Sequence, residues 1–251
     1  MLILLPASER KKTPVARGEP LDLARLSFPS LSPTREAVLD ALAKLSAEPD
    51  ANQRLGVPAS LSDAVLGNVT LRTAPTAPVA TVYAGPLYDG LAASELDAAS
   101  RRRARTWIAV ISALWGAVRL SDRIPSYRLN MCGRLPGLAH LPDVWREPLG
   151  GVLPGAARRG LIIDCRSAEY ATAWRPAGEL AERTVIVKLR AASYDAKHLR
   201  GLLARRIVTD AIDPAEPTEL TDALSDHFKL ELVPPDRPGR AWGLQLIAAL
   251  T

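Results

Sequence analysis

Cysteine occurs at only two positions, Cys132 and Cys165, and histidine at only three, His140, His198 and His227. Neither a disulfide framework nor a CxxC-type zinc site can be assembled from so few, so a reducing compartment, the cytoplasm, is expected. Both thiols are expected to be buried and inert; the alternative is a peroxide-sensing thiol, which needs a lowered pKa. The patterns GxGxxG, GxxxxGK[ST] and GxSxG are absent, which removes the usual dinucleotide, P-loop and hydrolase-elbow readings. No His-x-x-x-His occurs either, so neither a metal site nor a cofactor is expected. No window approaches the ~20 apolar residues of a membrane span, and Leu2 to Leu5 is too short for a signal-peptide core. Aromatic residues make up only 5%, so the core must rest on aliphatic packing.

Against these absences stand 47% hydrophobic residues in a chain of 251, enough for one self-sufficient core, and one domain over 1–251 is expected. Lys and Arg number 32 and Asp and Glu 27, a net charge of +5 that mildly favours polyanions. Apolar runs at Leu2 to Leu5, Val79 to Tyr83 and Leu161 to Asp164 read as strands, as does Thr184 to Leu189, where Val185, Val187 and Leu189 alternate with Ile186 and Lys188. Ser32-Pro33 opens a helix, with Ser32 as N-cap and Val38, Leu39, Leu42 and Leu45 on one face. The segment ending in PGRAWGLQLIAAL reads as a closing edge strand. The pattern is that of an α/β protein, a mixed sheet flanked by helices.

The rest is organised around Trp107 to Pro136, where a β-branched run breaks into Ser, Gly, Asp, Pro and Tyr with four arginines, Arg119, Arg123, Arg128 and Arg134. A buried strand is expected to deliver a polar, cationic loop beyond its carboxyl end, where α/β sheets usually meet ligands. The bland reading is surface arginines with Trp115 and Tyr127 as packing.

The words ISALWGAVRLSDRIPSYRLNM resemble the hallmark segment of the YaaA family of bacterial peroxide-stress proteins. The likeness extends to Pro6, Ser8, Glu9 and Lys11, matching the family's Pro-Pro-Ser-Glu-Gly-Lys with its Gly replaced by Arg10. It takes in Tyr83, Gly85 and Tyr88, and Ser167 and Tyr170 of a Ser-x-x-Tyr element beside Arg166. Lys197, Arg200 and Gly201 match the Lys-x-x-Arg-Gly that leads the family's helix-hairpin-helix. The following DAIDPAEPTE is acidic and has no glycine hairpin. The resemblance implies a single YaaA-like domain, resistance to peroxide through limited free intracellular iron, and DNA bound in a positive cleft.

Two functions are carried forward. In the first, the cations Arg119, Arg134, Arg166, Lys197, Arg200 and Arg205, with Ser167 and Tyr170, hold DNA phosphates. In the second, a diverged enzyme of a biosynthetic pathway, a lyase, hydrolase or transferase, acts on a small anionic substrate such as a nucleotide, nucleoside or amino-acid-like molecule. Its chemistry would fall to Ser8, Glu9, Lys11, Ser112, Asp122, Tyr127 and Arg128, with Glu9 or Asp122 as acid/base and Tyr127 orienting the reacting group.

Overall fold

The computed structural model describes residues 1–12, 16–189 and 194–250. Its strands are β1 (Leu2–Pro6), β2 (Ala77–Pro78), β3 (Ile108–Ser112), β4 (Gly116–Arg119), β5 (Arg123–Ile124), β6 (Ile162–Asp164), β7 (Thr184–Leu189), β8 (Phe228–Val233) and β9 (Trp242–Ala249). The helices are α1 (Ser32–Ser46), α2 (Ala51–Leu55), α3 (Ser62–Leu66), α4 (Val79–Val82), α5 (Pro86–Leu91), α6 (Ala98–Trp107), α7 (Leu141–Ala157), α8 (Ala168–Ala171), α9 (Glu179–Glu182), α10 (Tyr194–Thr209) and α11 (Pro217–Leu224). Among the described residues no helix is long and apolar enough to cross a membrane.

Seven strands form one sheet in the order β4-β3-β1-β6-β7-β9-β8. The inner five run parallel, while β4 and β8 close the two edges as antiparallel partners. β1, β3 and β6 are covered on both faces, which is why they read as continuous apolar runs. The chain leaves β1 for β3 and β4 on one side and returns to β6 and β7 on the other. Such a reversal opens a crevice beyond the carboxyl end of the strand where it happens.

Four local expectations are corrected. Val79 to Val82 is a helical turn, not a strand: Val79 and Val82 sit three apart and are both buried, and the extended residues are Ala77 and Pro78 before them. A five-residue apolar run carries too little periodicity to separate the two. Ser32 lies inside α1, with Leu31 at the cap, and its hydroxyl donates to Leu23 O at 3.5 Å. Trp107 closes α6 and does not begin the strand. The last strand, β9, is flanked on both sides; the edge belongs to β8, whose exposed Lys229 and Glu231 discourage further pairing.

The loop from β3 into β4 is held from below by Trp145 of α7, whose indole donates to Ala113 O at 2.8 Å. Gly116 adopts φ 68, and a Cβ there would sit 2.5 Å from the Trp145 ring, so only glycine fits. On the other side Arg35 of α1 is wholly buried and donates to Trp115 O, Ala117 O and Ser27 O.

Candidate active site

β1 delivers its last residues into the crevice. Ala7 still donates to Ile111 O, and then Ser8 turns the chain, its hydroxyl donating to Ala84 O and accepting from Arg10 N. Lys11 bridges to Tyr83, and Ala84 N and Lys12 N bond to Arg10 O and Val82 O respectively. This stitch to the segment before α5 fixes where the Lys11 side chain goes. Its Nζ donates to Ser8 O at 2.8 Å and lies 4.0 Å from the centre of the Tyr127 ring. Burial against these rings lowers the amine from 10.5 to about 7, although Glu9 works in the opposite direction.

β3 ends at Ser112, whose Oγ accepts from Leu114 N and Trp115 N. A hydroxyl has two acceptor sites and one proton, so with both acceptors used Ser112 donates to Tyr127 OH, 2.7 Å away. Tyr127 in turn donates to Tyr83 OH at 2.8 Å, leaving the Tyr83 proton as the loose end of the chain. Burial raises Tyr83, Tyr127 and Tyr170 above the ordinary phenol range, so all three stay protonated near neutrality.

Glu9 is held by Tyr170, whose hydroxyl donates to Oε1 at 3.0 Å, and by Arg128, which donates to its backbone carbonyl at 2.6 Å. The Arg128 guanidinium lies 3.7 Å from Oε2, outside hydrogen-bond reach, and that oxygen is enclosed without a partner among the described residues. Desolvation raises the Glu9 carboxyl despite the cations beside it. Arg128 is positioned through its backbone by Asn68, which accepts from Arg128 N at 2.8 Å and donates to Arg128 O at 2.9 Å. The cavity these groups share is about 580 Å³, with Glu9, Lys11, Tyr127 and Arg128 in its wall. That is the size of an ordinary small-molecule site.

Ser8, Glu9, Lys11, Ser112, Tyr127, Arg128 and Tyr170 thus come together. Arg166 joins them indirectly. Fully buried, it forks onto both oxygens of Asp164 and donates to Trp174 O and Tyr170 O, so it braces the loop that presents Tyr170. Ser167 precedes the single turn α8 and makes no capping bond.

Other expected residues are elsewhere. Asp122 spends its oxygens on Ser27 N, Ser27 Oγ and Arg119 N, a lock on a turn. Arg119 donates to Ile108 O and stacks over Phe28. Arg205 pairs with Glu95, while Arg134 and Lys197 are exposed. Arg200 donates to Val187 O and lines a second cavity, of about 710 Å³, with Arg166 and Lys188. Gly201 is a packing residue: a Cβ there would lie 1.9 Å from Leu87 O of α5. Cys165 is buried as expected, its thiol pushed up to about 12 by desolvation, but Cys132 is exposed. Its thiol is raised by a hydrogen bond with Glu169, the opposite of the activation a reactive thiol needs.

Asn68 and Arg35 escaped sequence reasoning. A lone Asn in a polar stretch and an Arg in a helix carry no local mark of burial, and both find their partners dozens of residues away.

The family model for peroxide stress protein YaaA matches residues 1–232. A UPF0246 protein of Streptomyces coelicolor is 43% identical over 256 residues, covering 98% of both chains. One from Corynebacterium efficiens is 38% identical, covering 88% of this chain and 91% of its own. One from Corynebacterium glutamicum is 33% identical, covering 98% and 100%.

Proposed function

This chain belongs to the YaaA family of peroxide stress proteins, and from that premise we propose that it acts as an enzyme on a small anionic substrate held in the Lys11 cavity. The observation that carries the reading is that Lys11, Glu9 and Arg128 line one cavity, the amine donating to Ser8 O and the carboxylate accepting from Tyr170, where burial lowers the amine to about 7 and raises the carboxyl. An amine near 7 is half neutral at physiological pH and serves as base or nucleophile; a raised carboxyl serves as the acid. Structural ion pairs stabilise charge, whereas desolvation here works against charge on both groups. Arg128 offers a guanidinium fork to a carboxylate or phosphate, and Tyr127, its hydroxyl tied to Ser112 and Tyr83, forms part of the same wall.

Duplex DNA as the partner, with limited free intracellular iron as the outcome, is the second reading. It is favoured by exposed Arg10, Lys12 and Lys197, which neighbour the start of α5: Arg10 O accepts from Ala84 N, and His198 Nδ1 lies 3.1 Å from Pro86 O. It is weakened because Arg200, Gly201 and Arg205 are engaged within the fold and α11 begins with an acidic capping box, Glu216 with Glu219.

A thermal-shift screen of small carboxylates, phosphates and nucleotides, run beside fluorescence polarisation of duplex DNA over a salt series, separates the two. Stabilisation by a small anion that is lost in Arg128→Ala supports the enzyme. Micromolar duplex binding that falls steeply with salt, together with no small-anion response, overturns it.

A further inference from the structure

Resting on the reading of the Lys11 cavity as a small-substrate site, we infer that Lys11 forms an imine with the aldehyde or keto carbonyl of a substrate that also bears a carboxylate, which Arg128 binds. Three features of the wall point to this chemistry.

The first is how the amine is held. Among the described residues its hydrogen bond is to a backbone carbonyl, Ser8 O, and its flat neighbour is the Tyr127 ring. Among the described residues no carboxylate oxygen takes a proton from it, and Glu9 instead receives the Tyr170 hydroxyl. A lysine clamped in an ion pair is locked as ammonium; one that donates to a carbonyl keeps a lone pair to spare once neutral, and burial brings that point to about 7.

The second is Glu9. Its enclosed Oε2 has no hydrogen-bond partner among the described residues, and its carboxyl is raised by desolvation. Imine formation needs such a group. The amine lone pair attacks the carbonyl carbon, a C–N bond forms as the C=O π bond breaks, and one of the two amine protons passes to the oxygen to give the neutral carbinolamine. Glu9 then protonates that hydroxyl, the C–O bond breaks, water leaves, and the nitrogen retains one hydrogen in the protonated imine. No oxidant or reductant is consumed.

The third is Arg128, which lines the same cavity and whose Nε is enclosed without a partner among the described residues. A guanidinium with an unspent donor beside a carbonyl-reactive amine selects substrates that carry an anion next to the carbonyl.

The experiment treats the full-length protein with glyoxylate or, in parallel, propionaldehyde, adds borohydride to reduce any imine, and maps marked lysines by peptide mass spectrometry. The exposed Lys12 next in sequence is an internal control within the same folded molecule, and Lys11→Met gives the background. Glyoxylate is expected to mark Lys11 roughly 30-fold faster than an ordinary lysine at pH 7, because the larger neutral fraction outweighs the weaker nucleophile. Arg128→Ala should cut the glyoxylate mark at least tenfold and the propionaldehyde mark far less, a smaller loss being expected there because Arg128 also helps hold the amine low and holds the Glu9 backbone. Marking of Lys11 no faster than Lys12, or equal marking by both aldehydes, overturns the inference. If Lys11 stays unmarked while glyoxylate still raises the melting temperature in an Arg128-dependent way, the covalent step alone is lost and the small-anion reading stands. If neither effect occurs, both fall.

Discussion

Replacing Lys11 with Met tests the electrostatics of the cavity without assuming a substrate. Methionine keeps the length and apolar stem of the side chain and removes the amine. In the fold that amine titrates at about 7, against 10.5 for an ordinary lysine. Between those pH values the unfolded chain holds a proton that the folded chain has given up, so the group makes wild-type stability rise with pH across the window. Below pH 7 both states are protonated and the full penalty for burying the cation is present, a gap equivalent to about 5 kcal/mol. Loss of the contact with the Tyr127 ring offsets about 1 kcal/mol of what the substitution relieves. Lys11→Met should therefore be more stable than wild type by about 3 to 4 kcal/mol at pH 6, and the difference should shrink steadily towards pH 10. Urea unfolding at pH 6, 8.5 and 10 reads this as a shift in midpoint with unchanged slope. A difference that does not vary with pH, or a variant less stable than wild type at pH 6, would refute the picture of a desolvated amine. Any ligand found for the cavity should bind this stabilised variant poorly, the usual relation between strained sites and stability.

Gly201→Ala places a Cβ 1.9 Å from Leu87 O and 2.7 Å from Leu91 N; a loss of about 3 kcal/mol or more is expected in denaturant melts, and a change under 0.5 kcal/mol would show that the helices separate freely. Asn68→Ala removes two bonds to the Arg128 backbone and should weaken small-anion affinity about tenfold in a calorimetric titration, with intact affinity counting against Asn68 as a positioning residue. Asp122→Asn should cost about 1 to 3 kcal/mol by disturbing its bonds to Ser27 and Arg119 yet leave affinity unchanged; loss of affinity at full stability would return Asp122 to the site.

How much of this was legible beforehand follows from where the partners lie. β1, β3 and β6 are visible because burial on both faces leaves an uninterrupted apolar run, and β7 because buried Val185 and Val187 alternate with exposed Ile186 and Lys188. Lys11, Glu9 and Tyr127 stand out by their motif words. Asp122 carried the same promise, since the letters Asp-Arg-Ile-Pro look alike whether a carboxylate faces a cavity or locks a turn. Asp122 locks one, because Ser27, 95 residues earlier, meets it there. Arg35 looks like any helical surface charge, and only the fold shows three carbonyls of other segments converging on it. In the basic helix, Gly201 is legible only as part of the Lys-x-x-Arg-Gly match, and the fold shows that it serves close approach.

That close approach has a mechanical consequence. With Gly201 against Leu87 and Gly90 against His198 O, α5 and α10 have no slack in which to slide past one another. Tyr88 of α5 ties its hydroxyl to Pro6 O at the tip of β1, one turn before Lys11. From the outer surface of α10, where Lys197 stands exposed, the packing therefore runs without a gap through α5 to the end of β1. The outer face of the molecule at Lys197 and the carbonyl that receives the Lys11 amine are thus separated only by packed, hydrogen-bonded elements.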